Sequence, residues 1–588
     1  MREDDYPAAT RRDWLIVSAI FCLGAAVLGY FASRMGQFGF MTDELLYQRM
    51  SLSFSETLLP IPRVHGEFVE YYGILYPLLI APLQWFDIKT TFELTHIVNG
   101  VIMASAAFPT FLLARAARLS KLATIFATVI STFIPWTVFT VFMLTEVAAY
   151  PAFLWGTLAI WHCISNRGPR ADLIAIAGII LAFSARTQFA FLALVLPVSI
   201  LLHEAAWAVR SADGDRGYWR RIAASVAQAV RDHRLLAYIA GVGAFALIVL
   251  QLTGGATRIF GAYGAAFDDG LWPDGTGQAT REMLGYIAVS IGVLPLVGWI
   301  AWVAASAWKP DDKRVHALAT LSFVSVAAIM LVTGAFNMRA TGLIEDRYAF
   351  YVTPLMVIGT LAFFERPRWR APALAIAAVV STWALLSFTT THGRTFTWIG
   401  NINAKYVEWA AELDSMIGRP GVSSGVLIAT ATLAATLVLW LLLRTGRQRT
   451  AFLAVACLAT IACVGQTVRG LHDATSPMIE LDRGQEWVDS RVGENAVVAV
   501  VPTPIGDRIN SLGTWWDTEF WNRRVRRQWL AQPSLSTTPF RSDALTFDPD
   551  TGIIPLGDPV THVVTAISTA RLQVAGKRVA VQRSLQLI

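Results

Sequence analysis

The sequence predicts a polytopic α-helical membrane protein of about 13 transmembrane helices, with juxtamembrane helices in its first outer loop and a small C-terminal α/β or β-rich domain. Three observations carry that prediction. Of 588 residues, 55% are hydrophobic and only 15% are charged, against roughly 25% charged in soluble domains. The mean hydropathy of +0.49 is too apolar for a stack of soluble domains, disordered chain or fibre. Apolar runs of the length needed to cross a hydrocarbon core, roughly 20 residues, recur through residues 1–468.

The first run, Trp14 to about Ser33, follows Arg11 and Arg12. It is too long for a signal-peptide core and no small-residue cleavage site follows, which predicts a retained helix with a cytoplasmic N-terminus. Further runs lie near 93–114, 122–143, 147–164, 171–186, 189–202, 235–252, 283–305, 315–334, 348–364, 371–388, 425–443 and 451–468. The apolar stretch Tyr71 to Phe86 is short and carries Pro77 and Pro82, each of which breaks a helical ladder. Charge decides its placement. If it does not cross, the cytoplasmic loops hold 23 Lys and Arg against 11 acids, and the outer loops before residue 469 hold 12 against 17. If it crosses, the turns RTGRQR and ERPRWR face outward, against the positive-inside rule. The stretch is therefore expected to be juxtamembrane or re-entrant, which puts the C-terminus outside.

From residue 469 to 588 the texture turns mixed and polar, with 13 basic and 13 acidic residues and short β-type runs at Val497–Val501, His562–Thr565 and Val579–Gln582. The segment His203–Arg234 alternates Ala with Arg and predicts an amphipathic surface helix. No internal repeat supports an inverted-repeat transporter. The net charge of +6 resides in the cytoplasmic loops, so it records topology and gives no reason to expect a nucleic-acid partner. Cys22, Cys163, Cys457 and Cys463 lie in apolar runs, where neither a disulfide nor thiol chemistry is expected. The nine histidines are scattered singly, so no protein-built metal site and no cofactor are expected. Asp548, Asp550 and Gly552 lack the distal Glu of a calcium loop and read as a turn, and GVGAFA (241–246) reads as helix packing.

Chemistry-bearing residues gather on the outer side. Thr42, Asp43 and Glu44 open the first outer loop, in MTDELLYQRMS. Ionisable groups at this depth are costly unless they face water, a partner or a substrate; the same residues also suit a helix start, where the dipole favours carboxylates. Glu146 with Tyr150 sits at the mouth of two spans, and Arg186 interrupts an apolar pair at its outer turn, to snorkel or to bind a lipid phosphate. Glu345, Asp346 and Arg347 suit a local ion pair somewhat better than substrate contact. Arg63, His65, Glu67 and Glu70 form a charged cluster in the loop of Asp43. Trp515, Trp516, Phe520, Trp521 and Trp529 are interleaved with arginines, and read as a core or membrane-docking surface before a sugar platform.

The Asp43–Glu44 pair and Tyr47 early in the first outer loop, the Tyr/Pro-rich stretch Tyr71–Phe86, Thr145–Glu146 in the next loop, about 13 spans and a C-terminal outer domain together resemble the GT-C membrane glycosyltransferases. The similar members are the protein O-mannosyltransferases, the lipid A aminoarabinose transferases and the actinobacterial arabinofuranosyltransferases. The chain departs from them in carrying Glu at the second acidic position and in lacking their basic residue in a YxKPP-like setting.

The resemblance implies a polyprenyl-phosphate sugar donor, a glycan, lipid or protein acceptor, and Asp43 as catalytic base beside Glu44. Tyr47, Glu146, Arg186, Arg347, Arg63 and His65 are the candidate substrate ligands. A leaving polyprenyl phosphate is already a stabilised anion, so a base and nearby cations suffice, without a metal. Neighbouring Glu44 and partial burial are expected to raise the pKa of Asp43. The chain is thus expected to be an inverting hexosyl- or pentosyltransferase of a bacterial plasma membrane, with Ala and Arg abundant and Lys scarce as in GC-rich actinobacteria. A transporter or flippase, or a non-catalytic scaffold, is the alternative; the near absence of charge within the spans weighs against translocation.

Overall fold

The computed structural model describes residues 9–39, 41–69, 72–210, 217–252, 272–308, 312–340, 344–365, 370–388, 405–417, 423–475, 485–501, 508–530, 543–544, 560–566, 577–582 and 585–588. Glu70, Tyr71, Asp548, Asp550 and Gly552 lie outside these residues, as do residues 253–271. The chain forms two units. One comprises 1–30, 99–140 and 146–473, the other 31–98, 141–145 and 474–588.

Helices dominate the first unit. Seven helices of the described chain are long and apolar enough to cross a membrane: Arg11–Ala32, Ile88–Ala116 (begun in the second unit), Glu146–Ser165, Thr187–Val209, Lys313–Arg339, Ser424–Arg444 and Gln448–Thr475. Two bent pairs bring the number to nine. The chain is a multi-pass membrane protein, with fewer full-length spans among the described residues than the 13 runs expected from sequence.

The reasons are local. The run 283–305 is two helices, Thr276–Ser290 and Leu294–Trp308, meeting at 116°. Gly292 (φ +83°) and Val293 (φ +61°) turn the chain there. The Val293 amide returns to the Ala288 carbonyl at 2.7 Å, a left-handed helix stop, and Pro295 suits the first turn of the next helix. Every residue of this turn is apolar, so hydropathy alone hides it. Likewise Pro135 ends a ladder in the run 122–143, and the helix Lys121–Thr132 bends by 44° into Pro135–Val141. Elsewhere small residues set the spacing: a methyl on Gly156 would lie 3.0 Å from the carbonyl oxygen of Gly178, so Glu146–Ser165 and Pro169–Ala185 pack backbone to backbone.

In the second unit, Tyr72 to Phe86 includes only a six-residue helix, Leu75–Ile80, and a 3-10 turn, Ala81–Trp85. The helix Thr42–Thr57 precedes them, and a two-stranded hairpin pairs Arg63–Val64 with Glu67–Phe68. The C-terminal part contains a six-stranded mixed sheet. Its order is Asp543–Ala544, Val525–Leu530, Val498–Val500, His562–Ala566, Leu585–Leu587 and Ala580–Gln582. The first four strands run parallel and the last two form an antiparallel edge. Alternation along the central strand sorts the core. Val498 and Val500 pack with Trp515, Val525 and Val564 on one face, and Ala499 and Val501 with Val563 on the other.

The helix Arg508–Trp521 links two parallel strands, and its end buries Phe520 and Trp521 against Phe92, with Phe38 stacked on Phe520 at 4.5 Å. Much of the aromatic run is therefore core, and it cements the first loop to the C-terminal sheet within one unit.

Candidate active site

The helix Thr42–Thr57 begins at Met41, which makes no side-chain cap; Thr42, Asp43 and Glu44 occupy its first turn. The two adjacent acids then diverge. Asp43 is half-buried and lies one turn before Tyr47, on the same helix face. Glu44 is 1% exposed. Its Oε1 accepts the Met143 amide at 3.0 Å, and the Met41 and Gly39 amides also reach it; the Met41 contact is the return half of a capping box. Burial nevertheless pushes its carboxyl up to about 8. With backbone amides as its partners and its carboxyl raised by burial, Glu44 is mostly neutral at pH 7, so it adds little charge against Asp43. A methyl on Gly39 would fall 2.5 Å from Glu44 Oε2 and 2.7 Å from the Phe142 ring, so glycine is what lets the chain close over this carboxyl.

Tyr47 stands edge-on to Tyr72 and Tyr76, with ring centroids 6.4 and 6.2 Å away, and its hydroxyl lies 3.5 Å from Thr145 Oγ1. The loop is fastened from the C-terminal side of the same unit. Arg49 is buried, its guanidinium donating to the carbonyls of Glu519 and Asn522 and pairing with the Glu519 carboxylate. His65 Nε2 lies 2.7 Å from the same Glu519 oxygen. Burial pushes Glu519 up, but His65 and Arg49 outweigh it and hold the carboxyl below its ordinary value. Arg523 adds bonds to Gln84 and Thr91, and Arg526 to Glu56. Arg63, by contrast, is exposed and donates to the Gly66 carbonyl within its own hairpin.

In the first unit the structure brings Glu146, Arg186 and Arg347 into one cluster. Arg186 follows the helix Pro169–Ala185 as its extended cap. Its Nη1 sits 2.7 Å from Glu146 Oε1 and 3.0 Å from the Tyr351 hydroxyl. Arg186 and Arg347 lie 4.8 and 4.7 Å from the Tyr348 ring centre, so one aromatic ring holds two cations. Arg347 pairs with Glu345 at 3.1 Å, the local ion pair expected from sequence, and also donates to the Tyr348 hydroxyl. Asp346 is buried, and burial with the Glu345 charge pushes its carboxyl up to about 7. Gln188 fixes the turn by donating to the Tyr348 carbonyl at 2.8 Å.

Two guanidiniums gathered around one tyrosine ring suit an oxyanion with several acceptors. Sequence reasoning missed Glu519, Arg49 and Tyr351, whose partners are distant in sequence, and also Gly39 and Tyr348, whose roles appear only once Phe142 and Arg186 come in from elsewhere in the chain.

No protein-family model matches the chain, and no curated protein matches it in sequence. Solved structures do match in fold. Over 98% of both chains it superposes on ArnT from Cupriavidus metallidurans bound to undecaprenyl phosphate, with a TM-score of 0.53 at 12% identity. The apo state of that protein gives 0.50 at 14% identity, over 98% of this chain and 97% of that one. The chain therefore shares the fold of that ArnT.

Proposed function

We propose that this protein is an inverting membrane glycosyltransferase that takes a sugar from a polyprenyl-phosphate donor and places it on an acceptor outside the plasma membrane. The observation that carries this reading is the GT-C fold with a half-exposed Asp43 on the first loop helix, its neighbour Glu44 pinned and neutral. Asp43 is the base. It takes the proton of an acceptor hydroxyl as that oxygen attacks the anomeric carbon, while the bond from that carbon to the phosphate oxygen breaks and polyprenyl phosphate departs. General-base help of this kind contributes roughly 10² to 10⁴-fold.

Arg186 and Arg347 are the phosphate ligands of this reading, Glu146 orienting Arg186. Tyr47, with Tyr72 and Tyr76, offers aromatic faces to a sugar or isoprenoid. Glu44, His65 and Arg49 serve by holding the Asp43 helix in place, and Arg63 stands at the rim. No step draws on a metal. Within the class, the Arg-rich, Lys-poor composition supports a pentosyl, arabinofuranosyl-type donor and a cell-wall glycan acceptor in a bacterial inner membrane. ArnT was crystallised with undecaprenyl phosphate, and a lipid of that kind is the product expected here.

The test is transfer from radiolabelled polyprenyl-phosphate pentose or hexose by purified protein in lipid nanodiscs, with the product anomer read by NMR. Label released as polyprenyl phosphate plus an inverted glycoside supports the reading. Retention of configuration, or no turnover of any polyprenyl-phosphate sugar, overturns it.

A further inference from the structure

Away from both carboxylate clusters, three segments of the first unit bring a thiol, a carboxylate and an imidazole together. Cys163 lies in the last turn of Glu146–Ser165, Asp172 in the first turn of Pro169–Ala185, and His233 between the helices Tyr218–Asp232 and Arg234–Leu252. Cys163 and Asp172 are 0% exposed and His233 is 6% exposed. Asp172 Oδ1 lies 2.7 Å from His233 Nδ1 and 3.5 Å from Cys163 Sγ, and Sγ lies 3.7 Å from Nδ1. Asp172 Oδ2 is fully enclosed with no hydrogen-bond partner among the described residues.

We propose that Cys163, Asp172 and His233 form a zinc site of one sulfur, one nitrogen and one oxygen ligand, with the fourth position left to water. The donor types are those zinc takes, and tetrahedral zinc with ordinary bond lengths separates sulfur from its nitrogen or oxygen neighbour by about 3.6 Å. Two of the three separations already have that value. The third, between Asp172 and His233, opens from a hydrogen bond to about 3.4 Å when a cation replaces the shared proton.

A plain Asp–His pair accounts for less. It satisfies one carboxylate oxygen, leaves the other enclosed without a partner, and gives no reason for a buried thiol within 3.7 Å of both groups. Binding expels the thiol proton and neutralises the carboxylate, so the ion settles every charge of the cluster. It also staples the turn between the helices Glu146–Ser165 and Pro169–Ala185 to the end of the helix Tyr218–Asp232, where Arg167 already pairs with Asp232.

The site is separate from the transfer chemistry proposed above, so its test reads metal and not activity. Full-length protein purified in detergent without chelator is expected to carry about one zinc per chain by elemental mass spectrometry. After chelator exchange and loading with Co2+, a thiolate-to-cobalt charge-transfer band with intense visible tetrahedral bands is expected. C163S and H233A lose the band, whereas C457S, at an exposed cysteine, keeps it. Wild-type protein that is monodisperse yet holds no zinc and gives no cobalt–thiolate band overturns the proposal, as does a band that survives C163S. The wild-type titration decides the matter even if a variant fails to fold.

Discussion

Two regions each bury a carboxylate almost completely, Glu44 at 1% and Glu146 at 2% exposure, yet they are built on opposite principles. Around Glu44 the partners are backbone amides of a glycine-lined loop, and its carboxyl rises to about 8. Around Glu146 the partner is a guanidinium 2.7 Å away, with a second guanidinium sharing a tyrosine with the first. Burial alone does not decide what an acid does; the charge opposite it does. The first arrangement yields a neutral anchor that sets a loop helix in place, the second a fixed cationic pair.

The largest effect of breaking this contrast is expected at Arg186. Arg186→Ala leaves Glu146 buried without its nearest cation, a loss of about 3–5 kcal/mol when one member of a buried pair is removed, read as a fall in Tm. The pair Glu146→Gln with Arg186→Gln should recover most of that stability and still bind donor more weakly, with KM raised by about tenfold or more for loss of one charged phosphate contact. Normal donor KM in the double variant would reduce the pair to a structural role.

Next in size is Glu519→Ala, which strips Arg49 and His65 of their shared partner and costs about 2–3 kcal/mol. Limited proteolysis should then cut the loop 58–69 faster; an unchanged cleavage pattern would show that the C-terminal sheet does not hold the loop.

Gly39→Ala should cost about 1–3 kcal/mol, since overpacking forces Phe142 or Glu44 to shift; a neutral substitution would mean the loop has room to give.

The last handle is the pH dependence of Glu44, an effect absent at low pH that grows as pH rises. Its folded pKa, about 8, lies above the ordinary 4.5, so the folded state holds the proton more tightly and loses relative stability as pH rises through that window. Glu44→Gln removes this slope. Asp346 contributes over an overlapping range, so the wild-type Tm profile minus that of the variant isolates Glu44; identical profiles would place Glu44's ordinary ionisation in the folded state.

Much of this was legible in the chain wherever a charged residue interrupts apolar sequence. Asp43, Glu146, Arg186 and Arg347 stand out for that reason, and the GT-C resemblance rests on the Asp43–Glu44 and Thr145–Glu146 positions together with Tyr47, the Tyr71–Phe86 stretch, the number of spans and the C-terminal domain. Their partners were not legible: Glu146 meets Arg186 40 residues later and Tyr351 closes on Arg186 across 165, distances over which no periodicity speaks. Glu519 hides in an aromatic run that reads as core, and Cys163, Asp172 and His233 come from three segments with no zinc spacing. The bend at Gly292 is masked because its turn is as apolar as the helices it joins.

The central claim is that Asp43 removes the acceptor proton. Asp43→Asn keeps size and helix position while removing the base, so the variant is expected to fold with wild-type Tm and elution, bind polyprenyl phosphate normally, and lose roughly 10²-fold or more in single-turnover transfer rate. Transfer at the wild-type rate by a folded Asp43→Asn protein would contradict the account.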